Sequence, residues 1–208
     1  TITAANIAPT ISSSATGSVA ENTATSTVVY TAAATDAESD ALTYALTGTD
    51  AASFSIDATT GQVRLLTPAD FEVKNSYSIT VNAKDASHTT TEAVTLNVTD
   101  VDEAPSFTSG ATGTVAENAA TGATVYTAAA ADPETGSVTY SLSGTDASAF
   151  SIGSSSGVVT LNGSADYETK SSYSINVIAS DAASNTVSKT VTINATNVNE
   201  TPTAANFT

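Results

Sequence analysis

Apolar and polar residues alternate with a period of two along much of this chain. From Ser76 to Asp85, Tyr77, Ile79, Val81 and Ala83 fall on one side, and Ser78, Thr80 and Asn82 on the other. Val94, Leu96 and Val98 repeat the pattern, as do Leu42, Tyr44 and Leu46, and Val28, Tyr30 and Ala32. A two-residue period predicts half-buried antiparallel strands. Turn signals stand between the runs, at Ala37 to Asp40, Asp57-Ala-Thr-Thr-Gly61 and Gly153 to Gly157. Gly48-Thr-Asp-Ala and Gly144-Thr-Asp-Ala predict short helical turns before Phe54 and Phe150, capped by Asp50 and Asp146. The reading is all-β, with about seven strands in each β-sandwich.

The same pattern is written twice. Pro9 and Pro105 lie 96 residues apart, and so do Glu21 and Glu117, Asp36 and Asp132, Asp70 and Asp166, and Asp85 and Asp181. One residue is inserted later in the second copy, so that Glu103 pairs with Glu200. Two domains follow: residues 1–102 with a linker at 100–105, and 103–208 with the start of a next linker at 197–208. The run past Pro202 reads as the opening of a third copy. Ten of the 12 aromatic residues are matched by the repeat, so they read as core. Phe107 matches the apolar Ile11, and only Phe207 is unmatched.

Composition narrows the function. About a third of the chain is Ser or Thr, which suits strands over long helices. Against 21 acidic residues stand 5 basic ones, for a net charge of -16. Nucleic acid and anionic membrane surfaces are poor partners for such a chain; metal cations are good ones. There is no cysteine, so no disulfide staples the domains, and bound metal is an alternative staple. No apolar run reaches the length of a membrane span.

The most faithfully repeated residues are acids in short phrases. The first copy carries Val-Ala-Glu21-Asn, Asp36-Ala-Glu38, Asp70-Phe-Glu72, Ala83-Lys-Asp85 and Asp100-Val-Asp102-Glu103-Ala-Pro105. The second carries Val-Ala-Glu117-Asn, Asp132-Pro-Glu134, Asp166-Tyr-Glu168, Ala179-Ser-Asp181 and Asn197-Val-Asn199-Glu200-Thr-Pro202. A core alone would repeat apolar positions and let surface acids drift. In number, order and spacing these phrases resemble the tandem cadherin repeat, in particular the cadherin-like domains of large bacterial surface adhesins of the RTX type. The resemblance covers nearly the whole chain. It implies two Greek-key, immunoglobulin-like sandwiches placed end to end, with about three calcium ions at a complete junction.

Carried over residue by residue, the resemblance gives the first domain's ligands as Glu21, Asp70 and Glu72. The linker would supply Asp102, Glu103 and the Val101 carbonyl, with Asp100 beside them. The second domain would supply Asp132, Glu134 and Asp181. Asp36, Glu38 and Asp85 form a half-site for a preceding domain; Glu117, Asp166, Glu168, Asn199 and Glu200 form one for a following domain. Two departures stand out. The linker is one residue shorter than the usual animal form, and Glu38 and Glu134 replace an Asp. Calcium accepts six to eight oxygen ligands in flexible geometry, whereas zinc or copper would want His or Cys. This chain has one His and no Cys.

The implied function is structural. Calcium stiffens each junction of an extracellular, cell-surface rod, a monomer whose nearest partners are neighbouring repeats of the same chain. Two rivals are a calcium-dependent polysaccharide-binding module and homophilic cell–cell adhesion. Enzymatic activity is not expected. Gly153-Ser-Ser-Ser-Gly157 matches a hydrolase serine motif but aligns with the serine-free turn at Asp57. Asp70 and Glu72 as a glycosidase pair would not need an identical second copy. His88 reads as a loop residue, and the sequons at Asn97, Asn162, Asn194, Asn199 and Asn206 are expected by chance in a chain this rich in Ser and Thr.

Overall fold

The computed structural model describes residues 5–201 and divides into two compact units at Val101/Asp102. Phe207 and the sequon at Asn206 lie outside the described residues. The first unit holds β1 (Thr10–Ile11), β2 (Thr16–Ala20), β3 (Tyr30–Thr31), β4 (Ala34–Thr35), β5 (Thr43–Thr47), β6 (Phe54–Ile56), β7 (Gln62–Leu65), β8 (Ser76–Lys84) and β9 (Thr89–Thr99). The second repeats them as β10 (Ser106–Phe107), β11 (Thr112–Ala116), β12 (Thr124–Thr127), β13 (Ala130–Ala131), β14 (Thr139–Ser143), β15 (Phe150–Ile152), β16 (Val158–Leu161), β17 (Ser172–Ser180) and β18 (Thr186–Thr196). Nine segments stand where seven strands were expected. The difference arises because the first two strands of each unit are each broken in two.

The break has a topological purpose. β1 pairs with β4, and the chain then crosses so that β2 joins β9 in a four-stranded sheet of order β2-β9-β8-β5. A three-stranded sheet of order β3-β7-β6 completes the unit. The β2/β9 pair is parallel, with Ala20 opposite Thr99, while β8 pairs with both β9 and β5 in the expected antiparallel sense. The second unit repeats this arrangement with β11 parallel to β18.

The core is what the alternation requires. Ile79, Val81 and Ala83 of β8 are buried with Val94, Leu96 and Val98 of β9 and Val63 and Leu65 of β7. Ile175, Val177, Ala179, Val191, Ile193, Val159 and Leu161 do the same in the second unit. Phe54 meets Tyr77 edge-on at 5.2 Å, and Phe150 meets Tyr173 at 5.4 Å. Not every matched aromatic is core: Phe71 packs on the cluster, but its partner Tyr167 is exposed. Gly61 and Gly157 sit at φ +68° and +67° in the hairpin turns, where a Cβ would collide with the carbonyls of Ala32 and Ala128. The Gly153–Gly157 stretch is therefore a turn between β15 and β16. The helical turns expected at residues 51 and 147 form as 3₁₀ turns, but Asp50 and Asp146 do not cap them. Among the described residues no helix is long and apolar enough to cross a membrane.

Candidate metal-binding ends of each unit

Every repeated acid follows or precedes a strand, so strand direction decides which acids meet. Because β2 and β9 are parallel, Glu21 and Asp100 leave the sheet at the same end. β8 runs antiparallel to β9 and begins there, which brings in the preceding Asp70–Glu72 turn. Glu21, Asp70 and Glu72 offer carboxylate oxygens within 4.8 Å of one another, and so do Glu117, Asp166 and Glu168 in the second unit. Glu72 and Asp100 also approach within that distance. Asp85 follows β8 and so lies at the opposite end, as Asp181 does after β17.

The Glu that opens each set is buried and ties the chain together. Glu21, 3% exposed, accepts the Val101 amide at 2.7 Å on one oxygen and the Phe71 amide at 2.8 Å on the other. Glu117 does the same with the amides of Val198 and Tyr167. Those two amides, Val198 first, hold Glu117 below its ordinary value despite the nearby Asp166. The amides of Val73 and Thr169 donate to Asp70 and Asp166, which fixes the turns. The Thr169 amide and hydroxyl lower the pKa of Asp166. Glu168 is raised: its own amide pulls it down, but a hydrogen bond shared with Glu117, burial and the charges of Glu117 and Glu200 outweigh that.

At the other end, carboxylates are buried with one oxygen each left without a hydrogen bond. Asp85 accepts the amides of Ser87 and His88 on Oδ1, while Oδ2 is buried without a hydrogen bond and faces the His88 ring nitrogen at 3.5 Å. The His88 amide is the main cause that lowers the pKa of Asp85. Asp181 accepts the Asn185 amide on Oδ1, and its Oδ2 is likewise buried and unpaired. Asp36 Oδ2 and Glu134 Oε2 share that condition. The DxE turns are built alike: Asp36 accepts the amides of Glu38 and Asp40, and Asp132 accepts that of Glu134. The linker is tied in as well. Ile7 donates to Glu38 at 3.2 Å, and at the matching position Glu103 donates to Glu134 at 3.1 Å.

Asp132 and Glu134 shift each other in opposite directions. The side chain of Asp132, followed by the Glu103 amide, holds Glu134 down to about 2. The side chain of Glu134, together with burial, raises Asp132. A buried carboxylate oxygen with no donor carries a desolvation cost that a metal ion removes. Since every donor here is a carboxylate or carbonyl oxygen, the set fits calcium or another hard cation.

Most residues expected from the sequence fall into these two ends. Val101, Asp102 and Asn199 are exposed; the Asp102 carbonyl accepts the Asn185 side chain at 3.3 Å. Three asparagines were missed. Asn185 holds both Asp181 and Asp102. Asn118 donates to Glu200 at 2.7 Å. Asn6 carries a buried, unpaired Oδ1 and lies 96 residues before Asp102. The repeat itself could have flagged Asn6 and Asn118; Asn185 sits in the stretch where the copies lose register.

Comparison with known proteins agrees with this geometry. The sequence matches the cadherin domain over residues 15–100 and again over 111–196. Human protocadherin Fat 1 is 35% identical over 150 residues, covering 66% of this chain and 3% of that protein. Human protocadherin gamma-C4 is 34% identical over 167 residues, covering 72% of this chain and 17% of that protein. The chain thus spans a small part of these relatives. Among solved structures, human protocadherin-24 EC1-2 (form II) superposes with a TM-score of 0.66 at 24% identity, covering 93% of this chain and all of the other. Mouse cadherin-23 EC22-24 gives 0.58 at 27% identity, covering 91% of this chain and 65% of that one.

Proposed function

This chain belongs to the cadherin family, and from that premise we propose that its two domains form a calcium-stiffened extender of an extracellular adhesion protein. Cadherin domains are adhesion modules, not enzymes. The first domain contributes Glu21, Asp70 and Glu72. The linker contributes Asp102, Glu103 and the Val101 carbonyl, with Asp100 beside them. The second domain contributes Asp132, Glu134 and Asp181. About three calcium ions complete the junction. The terminal half-sites repeat the scheme toward neighbouring repeats.

One observation carries this reading. Each unit ends in a trio of converging carboxylates and begins with buried carboxylate oxygens that lack hydrogen bonds. Both sets are oxygen-only, the trios bring like charges within 4.8 Å of one another, and the buried oxygens at the other end have no hydrogen bond. Without ions, like charges about 4 Å apart repel by roughly 4 kcal/mol at an effective dielectric near 20. Bound ions convert that repulsion into a bridge and remove the freedom of a hinge. An extender in a bacterial surface protein fits the cysteine-free composition with 5 basic residues, although the relatives described above are animal proteins.

Calorimetric titration with calcium tests the reading, run beside Asp181→Asn and paired with X-ray scattering. The wild type should bind calcium at millimolar or lower concentration, lose most of that affinity in the variant, and expand its range of shapes under chelator. Absence of binding heat together with an unchanged radius of gyration defeats it. Homophilic adhesion is a second reading, favoured by the protocadherin relatives; sedimentation with and without calcium separates it from the first. A polysaccharide platform lacks support, since Tyr167 is the one exposed aromatic ring among the described residues.

A further inference from the structure

Two of the chain's 5 basic residues, Lys74 and Lys170, occupy matching positions 96 residues apart. Each ends the turn that carries the paired acids. The Lys74 amide donates to the Asp70 carbonyl and the Val73 amide to the Asp70 carboxylate. The Lys74 ammonium meets Asp50 Oδ1 at 2.5 Å and lies 5.0 Å from the centre of the Tyr77 ring. Asp50, 13% exposed, uses its other oxygen to accept the Ser78 amide at 2.7 Å, at the head of β8. The second unit repeats every part: Lys170 on Asp146 at 2.5 Å, Tyr173 at 5.1 Å, and the Ser174 amide on Asp146 at 2.8 Å.

We infer that Lys74 and Lys170 are positioning residues for the metal-binding turns. Each pins the far end of an acidic turn to the sheet through an aspartate already fixed by a strand amide. This rests on the calcium reading above. An exposed ion pair alone would be worth little. Here the aspartate is largely buried, and the lysine is held by an aromatic face, an ion pair and a backbone hydrogen bond at once. The arrangement also explains why Asp50 and Asp146 fail as helix caps: their oxygens are engaged elsewhere.

The sign of one measurement separates this role from simple electrostatics. Lys74→Met keeps the apolar stem over Tyr77 and removes a positive charge near a cation site. If the charge acted only through space, calcium affinity should rise. If the pair were only a surface staple, affinity should stay unchanged while thermal stability falls slightly. A positioning residue predicts that affinity falls about threefold or more, and that Lys74→Arg restores most of it. Hydrogen exchange under chelator gives a calcium-independent reading. The Val73 and Lys74 amides should exchange faster in Lys74→Met than in the wild type, while core amides of β8 and β9 stay as protected as before. Unchanged or tighter calcium binding, or unchanged exchange in that turn, overturns the inference. Failure of the wild type to bind calcium would instead sink the functional reading, and the exchange measurement would still decide the role of Lys74.

Discussion

The C-terminal ends of the two units carry matching acids but differ in the amides and hydroxyls that stand beside them. The first closes with Glu72 and Asp100, two carboxylates within 4.8 Å. The second has Glu168 and Asn197 at the matching positions, joined by a hydrogen bond of 2.8 Å from the amide. Two carboxylates at the first end repel each other, where a carboxylate and an amide at the second attract. On the calcium reading proposed above, the first end therefore gains more from a cation than the second. The underlying scaffold stays the same, because Glu21 and Glu117 grip equivalent amides in both units.

That shared grip sets the largest expected effect. Glu21→Ala leaves the Phe71 and Val101 amides without their acceptor and should destabilise the first unit by about 2–4 kcal/mol. Glu117→Ala should act in the same direction on the second. Thermal melts under chelator check both, and a loss confined to one unit would show that the two ends are built differently at their base. Next comes the exchange that defines the contrast. Asp100→Asn should lower calcium affinity about tenfold in calorimetry while leaving stability under chelator equal or better. The reciprocal Asn197→Asp should lower the melting temperature of the second unit under chelator and make it recover with calcium. Smaller still, Asn197→Ala removes one exposed hydrogen bond and should lower that melting temperature by roughly 2–4 °C.

The smallest effect is again common to both units. The hydrogen bond from Lys74, then the Ser78 amide, places Asp50 below the ordinary aspartate value of 3.8, and Lys170 and Ser174 do the same to Asp146. A depressed folded-state value means that the stabilisation is present above 3.8 and is lost as pH falls through the lower folded value. Acid titration under chelator should therefore weaken both units over the same range below about pH 4. Asp50→Asn should flatten that dependence in the first unit alone.

Much of the candidate site was legible before the fold. Repetition at 96 residues exposed Glu21, Asp70, Glu72, Asp132, Glu134 and Asp181, because selection for a core does not hold surface acids in register. Other partners were not legible. Asn185 is joined to Asp102 across 83 residues, and no local pattern announces such a bond. Asp50 carried a capping signature, yet its partners are Lys74 and Ser78. Local propensity proposed the cap; an ion pair and a strand amide brought near by folding outcompeted it.

The chain's alternation and its duplicated phrases determined that two β-sandwiches form and which oxygens they carry, because burial of one strand face needs only a period of two. Which oxygens meet was decided by the crossing of the first strand. Once β2 runs parallel to β9, Glu21 and Asp100 must leave the sheet together, and β8 returns with Asp70 and Glu72. Strand direction depends on a pairing between residues some 80 positions apart, and no short window of sequence contains it.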